Sequence, residues 1–551
     1  MAKLSWAAGA GLSVQTLLIT CLGNIRMLKL STLIYSLMIY LGVLILRIKI
    51  GLKSLIKYAL SYDDTRGEAS LRIRFVHGTL WSLIGTVTSR VLSAVAGILT
   101  ARILGKSGFG ELGIINSTVG MFSTFAGLGL GLTCTKFIAE LRLTNPTRVG
   151  RIMGLTMLMS LFSGSLMALI LFVGAPWLSA SILNAPNLAP ELRIASLLLI
   201  SGTISGVQTS SLAGFEAFKY TARIGIIQGL ISFPLMISGV YFLGLRGAVL
   251  ALILNSITVL ILNKIALNKF THQFDIQPIY KGVLSESSVL WKFSIPAMLS
   301  SFTVIPVMWL VNTLLVNTEH GYAQLGLFNA ANQWRNLLEF LPGVIGAVLL
   351  PMISAKPNNK NLKLETANFL ASWVLVTVMA LPLIAFPEAI GFLYGKDYNS
   401  VQYYQSLALL LFVSCIVSYV DGISRKLVAK NLMWLGFSYN FFWALLIIGA
   451  VTVLKRAGAP GIAASYVIAY VIATVLFVPL YLHKRVMPRG LLLSKEVLVI
   501  WIVLSIETIL TVLRVSLNLR FIFFFVFSVT MIFCFCSIWR KTSSDLTSFE
   551  I

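Results

Sequence analysis

Five ionisable side chains stand inside long apolar stretches of this chain: Arg90, Arg335, Glu339, Asp421 and Glu507. An Arg or Asp at the centre of a hydrocarbon layer costs roughly 2.5–3.5 kcal/mol even on the lenient insertion scale, so such residues face protein or a watery cavity. Arg90 has no acidic residue within a helical turn of it. Arg335 and Glu339, four residues apart, share one helix face and are flanked by Asn329, Asn332, Gln333, Asn336 and Trp334. Guanidinium groups grip phosphate-type oxygens bidentately, while a carboxylate at such depth can titrate or hold a cation. Asn, Gln and Trp suit a hydroxyl-bearing cargo through hydrogen bonds and apolar stacking. Each residue also has a structural reading. Arg335 and Glu339 could simply neutralise each other, Asp421 and Arg425 could be a helix-end pair, and Glu507 a contact with another helix.

Other chemistry has no residues to carry it. There is no GxxxxGK[ST] loop for nucleotide hydrolysis and no Ser/His/Asp or paired-carboxylate constellation, so no catalytic residue is assigned. Cys21, Cys134, Cys415, Cys534 and Cys536 form no CxxC, and His77, His272, His320 and His483 are scattered, so neither a metal site nor a bound cofactor is expected.

These polar groups must be positioned by a scaffold that is not water-soluble. Over 551 residues, 57% are hydrophobic and only 11% charged, and the mean hydropathy is +0.89. A soluble globule needs roughly a quarter of its residues charged. A disordered coil is excluded by 33 Phe, 17 Tyr and 11 Trp. The net charge of +24 comes from Lys and Arg in short loops between apolar runs, which act as topology determinants and not as a nucleic-acid footprint.

A hydrocarbon core about 30 Å thick takes roughly 20 helical residues to cross. Windows of that length give twelve spans, at 80–101, 112–133, 152–174, 192–214, 222–243, 246–266, 290–316, 322–353, 366–386, 402–424, 433–454 and 460–482. Two more follow at 497–513 and 519–539, and one or two precede them, at 30–46 and, more weakly, 4–22. With 47–76 assigned to the cytoplasm and the sides alternating, cytoplasmic segments hold 29 Lys and Arg against nine on the other side. That asymmetry puts the C-terminus in the cytoplasm. The basic segment 47–76 reads as a surface helix on anionic headgroups. No loop in this scheme exceeds about thirty residues, which argues against a membrane polymerase or ligase with an external catalytic loop.

The chain also repeats. Gly108-Phe109-Gly110-Glu111-Leu112-Gly113-Ile114-Ile115-Asn116 recurs 213 residues later as Gly321-Tyr322-Ala323-Gln324-Leu325-Gly326-Leu327-Phe328-Asn329. Gly244-Leu245-Arg246-Gly247-Ala248 is echoed 214 residues later by Gly458-Ala459-Pro460-Gly461-Ile462. The spacing predicts an all-α polytopic membrane protein of two pseudo-symmetric six-helix lobes, related by an axis along the membrane normal and suited to alternating access. Two C-terminal helices and one or two N-terminal ones are accessory. The boundaries are an N-terminal extension at 1–77, a first lobe at 78–266, a cytoplasmic linker at 267–289, a second lobe at 290–482 and the C-terminal pair with a short tail at 483–551. The 213-residue offset carries Arg90 to Thr303, Arg335 to Phe122 and Glu339 to Ala126. Scaffold duties should be shared by both copies, so these unshared charges are candidates for function.

The stretch Trp81-Ser82-Leu83-Ile84, the loop Ala101-Arg102-Ile103-Leu104-Gly105-Lys106-Ser107-Gly108-Phe109-Gly110, the run Gly127-Leu128-Gly129-Leu130-Gly131 with Lys136-Phe137-Ile138-Ala139-Glu140, and Leu212-Ala213-Gly214-Phe215-Glu216-Ala217-Phe218-Lys219 resemble the Wzx-type oligosaccharide flippases. These belong to the multidrug/oligosaccharidyl-lipid/polysaccharide exporter superfamily, which includes the MATE-like transporters. The resemblance implies export of a polyprenyl-diphosphate-linked oligosaccharide across a bacterial cytoplasmic membrane, driven by a proton or sodium gradient, with membrane lipids and polymerase machinery as further partners. A multidrug or peptidoglycan-precursor exporter of the same superfamily is the alternative. In that frame Arg90, Arg335, Asn332, Gln333, Asn116 and Asn329 are the candidate substrate-binding residues of a central cavity, and Glu339 and Asp421 the candidates for ion coupling. Pro296, Pro306 and Pro342 are expected to bend the helices that rock.

The charge count is directly checkable. A fluorescent protein fused after Ile551 is expected to be bright and a periplasm-dependent phosphatase at the same point inactive; the reverse pattern would invert the topology.

Overall fold

The computed structural model describes residues 71–294, 303–355, 362–430, 432–487 and 494–544. The expected spans at 4–22 and 30–46, the surface segment before residue 71, and Pro296 lie outside them. Every regular element among the described residues is helical, and Trp81–Ile551 form one compact unit. Nine helices among them are long and apolar enough to cross a membrane. The protein is therefore a multi-pass, all-α membrane protein.

In chain order the helices are α1 (Leu71–Gly127), α2 (Leu130–Leu141), α3 (Pro146–Trp177), α4 (Ala189–Ala195), α5 (Leu197–Gly214) and α6 (Phe218–Gln273). After a linker come α7 (Val304–Val316), α8 (Gly321–Ala355), α9 (Leu362–Ala385), α10 (Pro387–Tyr394), α11 (Val401–Ala429), α12 (Met433–Leu454) and α13 (Ala459–His483). The chain ends with α14 (Lys495–Val512) and α15 (Leu517–Ser544). Local chemistry sets several starts. Asn145 caps α3 by accepting from the Arg148 N–H at 3.1 Å, and Pro146 follows where its missing N–H costs nothing. Ser400 and Ser494 cap α11 and α14 in the same manner.

The two longest helices fold back at a glycine. Within α1, Gly105 takes φ 65 and ψ 178; within α6, Gly244 takes φ 58 and ψ −135. Only glycine holds such angles without strain. Gly458, the repeat partner of Gly244, sits at φ 69 and ψ −143, nearly the same conformation, at the turn from α12 to α13. The repeated glycine thus encodes a repeated backbone reversal. Across the first of these turns, Gly239 and Gly247 abut so closely that a Cβ on Gly247 would overlap the Gly239 carbonyl. The expected span at 112–133 stops early. Leu128 and Gly129 have positive φ, so α1 ends at Gly127 and α2 begins a new direction. Pro306 occupies the first turn of α7 and does not interrupt it, whereas Pro342 lies inside α8.

Packing distinguishes the two ends of the bundle. At the end carrying Gly105, one apolar core is continuous between halves: Ala101, Leu112 and Ile115 of α1 belong with Val311, Leu325, Phe328 and Tyr394. At the other end the first half keeps a core of its own, built from Leu130, Ile138, Val149, Met153, Val207, Leu212 and Phe215. The halves are therefore fused at the Gly105 end. The fusion is a backbone contact between the two repeat copies. Gly110 lies against the Tyr322 carbonyl and the Gly326 amide, Gly326 against the Lys106 carbonyl, and Gly113 under the Asn329 side chain.

The C-terminal pair packs on the second half, α14 on α9 and α11 and α15 on α9. Trp373 stacks within 5.6 Å of Trp501, and Arg520 is tied to Glu388 at 2.5 Å and to the Ala385 carbonyl at 3.0 Å. Thr511 bonds the Ile384 carbonyl at 3.0 Å, closing the same corner.

Gly326→Ala would push a methyl into the Lys106 backbone and is expected to cost about 1–3 kcal/mol of stability. Gly120→Ala, with open space at its Cβ position, is expected to melt like the unsubstituted protein in detergent. Equal melting of the two variants would mean that the repeat copies are not in backbone contact.

Candidate functional site

The charges sit at comparable depth, away from the fused end. At 1.5 Å per residue, Arg90 is about 22 Å along α1 from Gly105, and Arg335 and Glu339 are about 21 and 27 Å along α8 from Gly321. Asp421 is about 30 Å along α11 from its start.

Arg90 is exposed from the packed protein, and its guanidinium lies 5.8 Å from the ring centroid of Phe340 on α8. This contact crosses from the first half to the second. Among the described residues Arg90 makes no ion pair, so its charge is available to a ligand.

Arg335 turns the other way, into the second half. Its side chain is 9% exposed and lies 5.4 Å from the Tyr466 ring on α13. Its Nε donates to Asn332 Oδ1 at 2.8 Å, and its Nη1 is 3.6 Å from Glu339 Oε1. That separation is an ion pair without a good hydrogen bond. Glu339 Oε1 is buried and has no hydrogen-bond partner among the described residues. Glu339 also acts through space on Asp421 of the adjacent α11, though less than Arg425 does.

The expected helix-end pair of Asp421 with Arg425 is not made. Arg425 is spent on Asn368 of α9, donating to its Oδ1 at 2.8 Å and its carbonyl at 2.6 Å, and on Ser372 Oγ at 3.3 Å. Asp421 keeps only a through-space interaction with it.

The amides divide. Asn116 is exposed. Asn329 packs over Gly113 and leaves its Nδ2 without a bond among the described residues. Gln333 donates to the Ala94 carbonyl of α1 at 2.9 Å and accepts from the Tyr394 hydroxyl at 2.9 Å, with its amide filling the space over Gly97. Glu507 packs among the helices around α14 but makes no hydrogen bond to them among the described residues. It is fully buried, and neither oxygen has a partner among the described residues, Arg520 being the charge that acts on it.

Sequence reasoning missed the tyrosines after α10. Tyr394, Tyr398 and Tyr403 form a buried triangle with ring centroids 5.3, 5.7 and 6.0 Å apart. Burial pushes the Tyr394 and Tyr398 phenols well above their ordinary range, so both act as O–H donors. The signal was the run of tyrosines from Tyr394 to Tyr404, which an aromatic-rich membrane chain conceals. Two tight pairs across helices were also unforeseen, Lys426 with Glu365 and Arg520 with Glu388.

The profile of a family described as polysaccharide biosynthesis protein matches residues 75–356. Among curated relatives, the lipid III flippase of Escherichia coli K12 is 22% identical over 400 residues, covering 72% of this chain and 95% of its own. The lipopolysaccharide biosynthesis protein WzxC of the same organism is 25% identical over 426 residues, covering 74% and 80%. The EPS I polysaccharide export inner membrane protein EpsE of Ralstonia nicotianae is 21% identical over 420 residues, covering 73% and 92%. Among solved structures, the lipid II flippase MurJ in an inward closed conformation aligns with a TM-score of 0.62 at 16% identity, over 85% of this chain and 99% of that one. An inward-facing MATE family transporter of the MOP superfamily aligns with a TM-score of 0.58 at 16% identity, over 74% and 98%. The fold is that of these transporters.

Proposed function

Because the chain belongs to the polysaccharide biosynthesis protein family, we propose that it is a flippase that carries a polyprenyl-diphosphate-linked oligosaccharide from the inner to the outer leaflet of a bacterial cytoplasmic membrane. Two six-helix lobes, 78–266 and 290–482, alternate access about the Gly105 seam, with the C-terminus in the cytoplasm. The curated relatives named for lipid-linked precursors and exported polysaccharides support the cargo class.

The observation that carries the reading is the Arg90 guanidinium facing Phe340 between the halves, with no ion pair among the described residues. A diphosphate bears several negative charges, and a guanidinium held in a low-dielectric gap grips its oxygens bidentately. Asn116 offers an exposed amide to sugar hydroxyls, and Asn329 an amide whose N–H groups lack a partner among the described residues. Asn332 and Arg335 support the site from behind, by setting the charge of Glu339.

Glu339 and Asp421 form the coupling site for a proton or sodium ion. Their charges act on each other, with Arg335 beside Glu339 and Arg425 acting through space on Asp421. Binding a cation there would lower the repulsion between the two carboxylates in a low-dielectric interior, which couples the ion to the packing of α8 against α11.

Reconstituted into vesicles with a fluorescent lipid-diphosphate oligosaccharide, Arg90→Ala is expected to lower the initial rate at least about tenfold, the size of effect that loss of a charge-assisted contact gives. Arg90→Lys should keep part of the rate, since charge survives but the fork is lost. Glu339→Gln is expected to flatten the dependence of rate on an imposed ion gradient. Unaltered rates in Arg90→Ala would remove the anion-binding role, and an unaltered gradient dependence in Glu339→Gln would make that residue a packing group.

A further inference from the structure

The Gly105 end is closed by more than the glycine contact. The short helix α10 and the turn after it, Pro387–Tyr398, lie against the first half and touch it at Arg102 and at Gly105. Arg102, one turn before the Gly105 kink, donates from Nη2 to the Phe392 carbonyl at 3.0 Å. Tyr398 donates to the Gly105 carbonyl at 3.4 Å, next to the positive-φ reversal of Gly105 itself. Gly395, at φ 93, lets the segment turn where it meets Arg102.

Below these, Tyr394 reaches from α10 to α8, donating to Gln333 Oε1 at 2.9 Å and lying 3.2 Å from the Ala330 carbonyl. Gln333 continues the chain of bonds across the seam to the Ala94 carbonyl of α1 at 2.9 Å. A single relay therefore runs from α10 through Gln333 into the first half.

Other side-chain bonds also cross between the halves, from Trp309 Nε1 to Thr118 Oγ1 at 3.1 Å, from Asn317 Nδ2 to the Ile182 carbonyl at 2.8 Å and from Tyr322 to the Leu183 carbonyl at 2.8 Å, yet several polar groups of the seam stay unsatisfied. Thr100 and Ser117 from α1, Thr313 from α7 and Asn329 from α8 are held with buried hydroxyl or amide atoms that bond nothing among the described residues. Thr100 and Thr313 are 2% and 6% exposed. Ser117 shares a helix face with Gly113 and Gly110, which meet the second half. Buried polar groups without partners destabilise the state that buries them. Such groups lower the cost of opening the seam once the bonds across it are released.

We infer that Pro387–Tyr398 is the bolt of the gate at the Gly105 end, and that Gln333 is its latch: withdrawing the bolt frees Gln333 from Ala94, and the polar groups of the seam then line the opened path. The inference rests on the proposed function in one respect, that the Gly105 end faces away from the cytoplasm. It makes Gln333 a positioning residue of the gate and not a ligand of the cargo.

The test reads gate opening without any cargo. A chain in which the five native cysteines are serine carries Ser117→Cys, and a membrane-impermeant maleimide is applied from each side of the membrane in turn. Slow labelling is expected in this background. Gln333→Leu should speed it about five-fold from the Gly105 side alone, as loss of one bridging hydrogen bond requires. Tyr394→Phe, which keeps the ring and removes the donor, should act in the same direction, whereas Tyr404→Phe, in the same aromatic group but not bonded to Gln333, should not. Thr100→Val, which removes an unbonded hydroxyl from the closed seam, should slow labelling. Unchanged labelling in both Gln333→Leu and Tyr394→Phe would overturn the latch, as would equal acceleration from both sides. Fast labelling of the variants without transport of the lipid-linked oligosaccharide by the parent protein would leave the bolt standing and remove the cargo assignment.

Discussion

Backbone can meet backbone in a membrane only where side chains are absent, and that constraint organises this molecule. The copies of the repeated segment, Gly108–Asn116 and Gly321–Asn329, cross with Gly110 against the Tyr322 carbonyl and Gly326 against the Lys106 carbonyl just before the first copy. Apolar side chains from both halves then merge into one core around that point, from Ala101 and Leu112 to Leu325 and Phe328. Lipid tails are as apolar as leucine, so helices gain little by hiding apolar surface from them; close packing through small residues is what holds such halves together. The contact is close at one end and the first half has its own core at the other, an arrangement suited to the hinge that the proposed alternating access requires.

The charged residues make sense against that hinge. Arg90 and Arg335 lie at similar depth, yet one points between the halves and the other into the second half, where Asn332, Glu339 and Tyr466 surround it. In the proposed reading the cation in the gap serves an anionic cargo, and the cation locked beside the two carboxylates serves coupling, because adding or removing a small cation there would change the balance between α8 and α11. Cargo and coupling ion would then act on different faces of α8. A single rigid helix can transmit each to the other.

Much of this was legible in the chain. The glycine repeat was, because Gly244 and Gly458 recur at one offset and the fold uses both for the same left-handed reversal. The intramembrane charges were, because ions in apolar runs stand out in any hydropathy reading. The direction of Arg335 was not: α8 is polar on more than one face, and which face meets α13 depends on packing across 130 residues of chain. The roles of Gln333 and the tyrosines were hidden for a related reason. An amide beside Arg335 reads as a ligand until its partner, the Ala94 carbonyl from the other half, is known. The Asp421–Arg425 spacing suggested a local pair, but Asn368 on another helix offers the guanidinium two acceptors in better geometry.

The proposed hinge trades closure at the Gly105 end for closure at the linker end. Spin labels at exposed positions report it directly: Leu197 and Val453 flank the Gly105 end in the two halves, and Leu143 and Val428 flank the other. On addition of lipid-linked oligosaccharide and an ion gradient to the reconstituted protein, the Leu197–Val453 distance should lengthen as the Leu143–Val428 distance shortens. Both distances unchanged, or both moving in the same sense, would contradict the account.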